Sequence, residues 1–261
     1  MLALLKKTLI QSELCPIIYN YSEVSSTNNV AERLIVEKNN IGFVVIAERQ
    51  SSGKGQGKRN WESPQGGLWA SLVIQPQIEL SQLGIIPILS ALGIAKALEA
   101  FDIKVLLKWP NDILSISKLK KIGGILIEAK VTQFSLSYLI IGIGLNINST
   151  LSQYSRGLQD HITTVYEEYD KKLDLMKLLH EIICQIEILF ECLRINGSQS
   201  ILEEWKKKDN IIGMKVTVQT PEGDYQGKVV DISQHGQLIL ENSKSELIKI
   251  SSGRVLIQDI K

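Results

Sequence analysis

The sequence predicts a mixed α/β protein with a small β domain at its C-terminal end. Three observations predict this fold: short β-rich runs alternate with helical stretches over residues 26–148, a long helical pattern follows a polar segment, and every run after residue 214 is short and β-like. With 261 residues, of which 44% are hydrophobic and 22% charged, the chain has an ordinary globular composition and can bury a core. We predict one domain over residues 1–210 and a second over residues 211–261.

The first elements are a helix and two buried strands. Ser26 and Thr27 are the predicted helix start, because a hydroxyl group there can accept a hydrogen bond from the free amides of the first turn. The apolar stripe that follows at helical spacing consists of Val30, Ala31, Leu34 and Ile35. Two continuous apolar runs, residues 42–47 and 69–74, are typical of buried strands.

The middle of the first domain contains a long buried helix and three central strands. Residues 85–100 are predicted to be helical, because their apolar residues fall on one face. Residues 105–109, 124–129 and 138–146 are predicted strands, each apolar enough to lie centrally in a sheet.

After residue 148 the pattern changes. Residues 149–172 are polar and predict loops with some short helix, and helical patterns follow at residues 175–189 and 201–207. The later runs KVTV, GKVVDI, QLIL and ELIKI are separated by turn residues, which predicts four or five strands in a small barrel-like domain. We place the domain boundary near Asn210.

Charge and cysteine content argue against several classes of function. The 29 basic and 28 acidic residues give a net charge of +1, which is too little for a protein whose main task is to coat nucleic acid. The three cysteines (Cys15, Cys184 and Cys192) are too widely spaced for a disulfide framework or a zinc site. No apolar run reaches about 18 residues, and the N-terminus lacks the charge order of a signal peptide. We therefore expect a cytoplasmic protein with no membrane partner.

A glycine-rich segment is the strongest local signal for a binding site. In residues 52–60, SGKGQGKRN, three glycines alternate with cations, so that backbone amides and positive charges could hold a phosphate. A mobile surface loop explains the composition equally well. The spacing matches neither a P-loop nor a dinucleotide fingerprint.

Three further patterns contain candidate residues, and each also has a plain structural explanation. In KWPND at residues 108–112, proline ends ladder pairing and presents Asn111 at the edge of a sheet, although an Asx turn is a sufficient reason for the motif. Lys121 precedes a pair of glycines beside which a ligand could lie closely. Asn146 offers a donor and an acceptor where a glycine-containing strand ends, which is also typical of a core strand and its turn.

Taken in chain order, the motifs resemble those of the biotin–protein ligases. The matching segments are S-S-T-N-N at 25–29, E-R-Q-S-S-G-K-G-Q-G-K-R-N-W at 48–61, S-P-Q-G-G-L-W at 63–69, K-W-P-N-D at 108–112, K-I-G-G-I-L-I-E at 121–128, G-I-G-L-N-I-N at 142–148 and W-K-K-K-D-N at 205–210. The resemblance covers nearly the whole chain from Ser25. It implies a mixed-sheet catalytic domain related to the class II aminoacyl-tRNA synthetases, followed by a small SH3-like barrel.

The resemblance also implies an activity and a set of site residues. The family joins biotin to ATP, giving biotinyl-5′-AMP and pyrophosphate, and then transfers biotin to a lysine of a biotin carboxyl carrier domain. By match, Lys121 and Lys54 are the catalytic candidates. The residues expected to bind biotin are Ser26, Thr27, Asn28, Gln50, Lys54, Gly55, Gln56 and Lys121. The residues expected on the ATP side are Gly53, Gly55, Gln56, Arg59, Trp61, Asn111 and Asn146. Magnesium is expected with the nucleotide, with no ligands indicated, and some relatives form homodimers.

Two departures from the family pattern lead to expectations of their own. Where the family has G-x-G-R, this chain has Gln56, which lacks the charge that normally clamps the phosphate. Either Arg59 or Lys58 compensates, or the reactive adenylate is released more readily. About twenty residues precede Ser25, too few for the winged helix of family members that act as repressors, so we expect a short-form ligase with no DNA partner.

Two other functions stay open at this stage. A lipoate– or octanoate–protein ligase would have the same catalytic fold. A protein that binds biotin without catalysis would be consistent with the loss of arginine at Gln56.

Overall fold

A nine-stranded mixed sheet forms the first domain in the computed structural model, which describes residues 4–57 and 59–258. Its strands are β1 (Leu4–Leu9), β2 (Ile17–Val24), β3 (Phe43–Lys54), β4 (Asn60–Ser63), β5 (Leu68–Ile74), β6 (Val105–Lys108), β7 (Asp112–Ser115), β8 (Lys121–Val131) and β9 (Leu136–Leu145). The order across the sheet is β1-β2-β3-β5-β9-β8-β7-β6, with β4 paired to β3. Strands β2 and β3 run parallel, and the other paired strands of this sheet in the described residues run antiparallel.

Helices pack on both faces of this sheet. They are α1 (Thr27–Lys38), α2 (Ile86–Glu99), α3 (Arg156–Gln159), α4 (Val165–Tyr169), α5 (Leu175–Asn196) and α6 (Gln199–Lys206), with 3₁₀-helices at Leu80–Ile85 and Leu151–Gln153. The alternation along β3 separates two cores: Val44 and Ile46 pack with α2 and α5, whereas Val45 and Ala47 pack with α1. The sheet is therefore buried on both faces along this strand, which is why residues 42–47 are continuously apolar.

One helical segment is long and apolar enough to cross a membrane by length and composition. It is the stretch Leu80–Glu99, with a mean hydropathy of 1.5. The sequence contains no uninterrupted apolar run of this length, because polar residues occur within the stretch. In the structure α2 packs between the sheet and α5, and its side chains are almost all buried, so the core of this domain accounts for its composition.

The second domain is an antiparallel sheet of five strands. They are β10 (Lys215–Thr220), β11 (Gly223–Ile232), β12 (Leu238–Glu241), β13 (Leu247–Ile250) and β14 (Arg254–Ile257), in the order β13-β12-β11-β10-β14. Alternate residues such as Val216, Val218 and Val255 are buried inside it. The predicted mixed α/β fold with a C-terminal SH3-like β domain is confirmed.

The two domains are joined by close contacts. The indole N–H of Trp109 donates a hydrogen bond to the carbonyl of Gly236 at 2.8 Å. Gly236 lies so close to Gly84 that a Cβ on it would come within 2.1 Å of the Gly84 carbonyl oxygen. This position is also at positive φ, so only glycine is accommodated there.

Several local predictions are wrong in detail. Ser26 is the N-cap residue of α1, as predicted, but its hydroxyl group makes no capping hydrogen bond. Strand β3 continues to Lys54, so residues 52–54 belong to a strand and the glycine-rich loop is shorter than predicted. Strands β1 and β2 lie where the sequence predicts no element.

Candidate active site

A cleft of about 490 Å³ contains almost all of the predicted site residues. Twelve of the thirteen line it, and they are Ser26, Thr27, Asn28, Gln50, Lys54, Gly55, Gln56, Arg59, Trp61, Asn111, Lys121 and Asn146. Gly53 is the exception. It lies in β3 opposite β4, where a Cβ would come within 2.4 Å of the Trp61 carbonyl oxygen. Its requirement for glycine therefore comes from the close approach of two strands.

A buried polar network forms one end of the cleft, at the start of α1. Thr27 is only 3% exposed, and its N–H and hydroxyl groups lie 2.7 and 3.1 Å from the side-chain oxygen of Gln50. The Nε2 atom of Gln50 donates to the Ser63 hydroxyl at 2.8 Å. The other end of the amide, Oε1, is therefore the acceptor that faces Thr27. The network is thus ordered before any ligand arrives.

Glu128, at the end of the K-I-G-G-I-L-I-E motif, connects this network to the glycine-rich loop. It accepts a hydrogen bond from Asn28 Nδ2 at 2.6 Å and forms an ion pair of 3.5 Å with Lys54. The hydroxyl group of Ser71 lies 2.5 Å from Asn28 Oδ1, so both ends of that amide are held. Glu128 and Ser71 are not among the predicted site residues, because these contacts join residues far apart along the chain.

Lys121 lines the cleft and is the first residue of β8. Its ammonium group pairs with Asp112 and lies 5.0 Å from the centre of the Trp61 ring, which corresponds to a cation–π contact. Trp61 packs against Gly144, where a Cβ would come within 2.7 Å of the indole nitrogen. That nitrogen is buried and has no hydrogen-bond partner among the described residues.

Arg59 contacts Gln56, the residue at which the resemblance leads us to expect an arginine. Its Nε donates to the Gln56 carbonyl at 2.9 Å, and its Nη2 donates to the Gln56 side-chain oxygen at 3.3 Å. The N–H of Gly55 donates to the Arg59 carbonyl at 2.8 Å, which closes the loop. A guanidinium group therefore lies beside Gln56. Lys58, the other predicted substitute, lies outside the described residues.

A third part of the cleft surrounds Asn146, which is 1% exposed. Its Nδ2 donates to the Thr163 carbonyl at 3.1 Å, and its Oδ1 accepts from the Tyr154 hydroxyl at 3.0 Å. Burial raises the pKa of Tyr154 to about 12, so the hydroxyl remains a donor at neutral pH. Asn111 Nδ2 donates to the Ile125 carbonyl at 2.5 Å, which leaves its Oδ1 for a ligand.

The cleft is strongly cationic although the chain as a whole is almost neutral. The lining includes five positive side chains, Lys54, Arg59, Lys108, Lys121 and Arg254, and two carboxylates, Glu62 and Asp112. Burial lowers the pKa of Lys108, and the charges of Lys121 and Arg254 lower it further, while Asp112 opposes the shift. Such a site attracts a multiply charged anion. Lys108 and Arg254 are not among the predicted site residues, although Lys108 is the first residue of the KWPND motif.

The described residues contain no group of three or more His, Cys, Asp or Glu side chains placed to hold a metal ion. Asp112 is the carboxylate beside Lys121 in the cleft. Magnesium bound with a nucleotide usually takes one or two carboxylates and completes its shell with phosphate oxygens and water. This donor set is therefore compatible with a magnesium ion that arrives with ATP.

Two family models match separate parts of the chain. Residues 21–146 match the biotin/lipoate A/B protein ligase family, and residues 211–257 match the biotin protein ligase C-terminal domain. Over 223 residues the chain is 30% identical to the bifunctional ligase/repressor BirA of Bacillus subtilis, covering 85% of this chain and 68% of that protein.

Solved structures of biotin protein ligases are also similar to this chain. The chain is similar to the biotin protein ligase of Aquifex aeolicus in complex with biotin and ATP, with a TM-score of 0.79, 28% identity, and coverage of 95% of this chain and 99% of that one. It is also similar to the biotin protein ligase of Leishmania major in complex with biotinyl-5-AMP, with a TM-score of 0.63, 27% identity, and coverage of 90% and 98%.

Proposed function

Because this chain belongs to the family of biotin protein ligases, we propose that it activates biotin with ATP and transfers it to a lysine of a biotin carboxyl carrier domain. The observation that supports this function most strongly is the single cleft in which a buried polar network, a cationic centre and an amide-lined pocket adjoin. The three parts correspond to the ring of biotin, the reacting carboxylate and phosphate, and the nucleotide. The enzyme is an ATP-dependent ligase.

The buried network supports biotin as the acyl substrate. The ureido ring of biotin has N–H donors and a carbonyl acceptor, and burying them without partners would be costly. Thr27, Asn28 and Gln50 offer hydroxyl and amide groups whose orientations are already fixed. The dithiolane ring of lipoate offers no such partners, so this end of the cleft favours biotin over lipoate.

In the first step, a biotin carboxylate oxygen attacks the α-phosphorus of ATP. A new P–O bond forms, the bond to the β-phosphate oxygen breaks, and its electron pair leaves with pyrophosphate. Lys121 and Lys54 offset the repulsion between the two negative reactants, since both ammonium groups line the cleft. Trp61 and Asn146 line the part of the cleft that we assign to the nucleotide.

In the second step, the lysine amine of the carrier domain attacks the carbonyl carbon of biotinyl-5′-AMP. An amide bond forms, AMP leaves with the electron pair of the broken C–O bond, and the amine gives up a proton to solvent. Lys121 stabilises the charge that builds on the carbonyl oxygen.

Magnesium belongs to the same proposal. Asp112 would hold it, together with phosphate oxygens and water. Bound there, the ion supplies positive charge to the phosphate groups.

The transfer reaction tests the function as a whole. The full chain is incubated with ATP, magnesium, a carrier domain and either biotin or lipoate, and the mass of the carrier is measured. We expect a biotin-sized increase with biotin and none with lipoate. A lipoyl-sized increase would indicate the related ligase, and an unchanged mass with both would indicate a protein that binds without catalysis.

The substitution Gln56→Arg tests how the chain compensates for the missing family arginine. Arg59 already contacts Gln56, so we expect the variant to release biotinyl-5′-AMP at the rate of the unaltered protein. The measurement is free adenylate in solution in the absence of carrier, with Arg59→Gln as the companion variant. Adenylate release that falls in the Gln56→Arg variant would contradict compensation by Arg59 and support a leaky site.

Three further expectations remain predictions. The net charge of +1 argues against sequence-specific DNA binding, and a gel-shift at low salt tests it. The described cysteines are unpaired, which agrees with a cytoplasmic location. The third expectation is a homodimer, and sedimentation measures whether the chain forms one in solution.

A further inference from the structure

Glu128 lies beside the cleft without lining it. It belongs to β8, and the alternation along the strand places it on the same face as Leu126, which is a lining residue. Any influence of Glu128 on a ligand must therefore pass through the residues that it contacts. Two of these, Asn28 and Lys54, line the cleft.

The carboxylate of Glu128 fixes which way the Asn28 amide points. An ionised carboxylate accepts hydrogen bonds and donates none, so the atom of Asn28 that faces it at 2.6 Å is the Nδ2 donor. The other carboxylate oxygen lies 3.5 Å from the ammonium group of Lys54, so the carboxylate lies between two donors. The Oδ1 atom of Asn28 is consequently turned towards Ser71.

The direction of the Asn28 amide decides the hydrogen bonds of two hydroxyl groups. The Ser71 hydroxyl lies 2.5 Å from Asn28 Oδ1 and 2.7 Å from the Thr27 hydroxyl oxygen, and it has one hydrogen to donate. Because Asn28 Oδ1 can only accept, the Ser71 hydrogen lies between these two atoms. The Thr27 hydroxyl group donates to Gln50 or to Ser71, and its own oxygen then receives no hydrogen from the described residues.

The Thr27 oxygen is thus an acceptor in a buried part of the cleft wall. A buried acceptor without a donor is unfavourable, so this position favours a ligand that supplies one. The ureido ring of biotin has two N–H groups, whereas the dithiolane ring of lipoate has none.

We propose that Glu128 is a positioning residue that sets the direction of the hydrogen-bond chain from Asn28 through Ser71 to Thr27, so that Thr27 accepts from an N–H group of the substrate ring. This inference rests on the proposed function and adds a specificity-determining residue outside the cleft lining. With the Asn28 amide reversed, Nδ2 would donate to Ser71, and Ser71 would donate to Thr27. The Thr27 acceptor would then be occupied before a ligand arrives.

The substitution Glu128→Gln is nearly isosteric and tests the direction of the chain. Because Lys54 only donates, the introduced amide turns its oxygen to Lys54 and its NH₂ group to Asn28, which reverses the Asn28 amide. Calorimetry measures the affinities for biotin and for a biotin analogue in which oxygen replaces both ureido N–H groups. We expect the preference for biotin over this analogue to fall about tenfold, because only biotin uses the lost acceptor.

The conservative variant Glu128→Asp keeps the carboxylate and should retain most of the preference for biotin. The matched control is Glu37→Gln, which removes an exposed carboxylate of α1 that pairs with Arg33 at 3.4 Å. It should leave both affinities unchanged. An equal preference in the Glu128→Gln and Glu37→Gln variants would overturn the proposal. So would an equal loss of affinity for both ligands in the Glu128→Gln variant, which would indicate a purely structural role.

The binding measurement needs no turnover, which separates this inference from the proposed function. A protein that shows the change in preference but forms no biotinyl-5′-AMP would overturn the function and leave the role of Glu128 intact. An active enzyme whose preference is the same with and without the Glu128→Gln substitution would overturn the role of Glu128 and leave the function intact.

Discussion

Replacing Lys121 with glutamine should lower the rate of biotinyl-5′-AMP formation by about 100- to 1,000-fold, the usual cost of losing one preorganised group that stabilises charge in the transition state. The ammonium group of Lys121 lies between the Trp61 ring and Asp112, so its position does not depend on the substrate. Without it, the cleft loses a positive charge that offsets the repulsion between two anionic substrates.

The control for this variant is Lys118→Gln, three residues earlier in the chain. Lys118 is exposed, pairs with Glu168, and is absent from the cleft lining. Both variants are assayed for adenylate formation with biotin and ATP, and their thermal unfolding is compared. Equal rates for the two variants would contradict the role of Lys121.

Replacing Gly142 with alanine should weaken biotin binding by about 30- to 150-fold, which corresponds to about 2–3 kcal/mol. The added Cβ would come within 2.5 Å of Asn28 Oδ1. Asn28 is buried and held by Ser71 and Glu128, so it can move only by giving up those hydrogen bonds. Calorimetric titration with biotin measures the effect.

The matched control here is Gly157→Ala. No atom lies within 4 Å of the Cβ that this substitution adds in α3, and alanine is a better helix residue than glycine. We expect its biotin affinity to equal that of the unaltered protein. If the Gly142→Ala variant bound biotin equally well, the assignment of the buried network to biotin would be wrong.

The fold was largely predictable because most of its elements are strongly patterned. The apolar residues of α2 and α5 and the continuous runs of β5 and β9 identify buried elements without further information. β1 was missed because its side chains are largely exposed, so that no hydrophobic period marks it. The helix start at Ser26 was predicted correctly, whereas the capping hydrogen bond of its hydroxyl group is absent.

The site was predictable where chemistry follows a local motif and not where it depends on tertiary contacts. Lys121 and Asn146 lie within recognisable segments and do line the cleft. Glu128 contacts Asn28 across 100 positions of the chain, and no local pattern connects them. Arg254 reaches the cleft because the second domain docks beside the KWPND turn, which depends on contacts such as that between Trp109 and Gly236.

Pyrophosphate exchange tests the central claim, that this cleft joins biotin to AMP, most directly. Labelled pyrophosphate is added to the full chain with ATP and magnesium, and the label that enters ATP is measured with biotin, with lipoate and without either acid. We predict exchange that depends on biotin and is almost lost in the Lys121→Gln variant. Exchange that is absent with biotin, or equally fast with lipoate, would contradict the account.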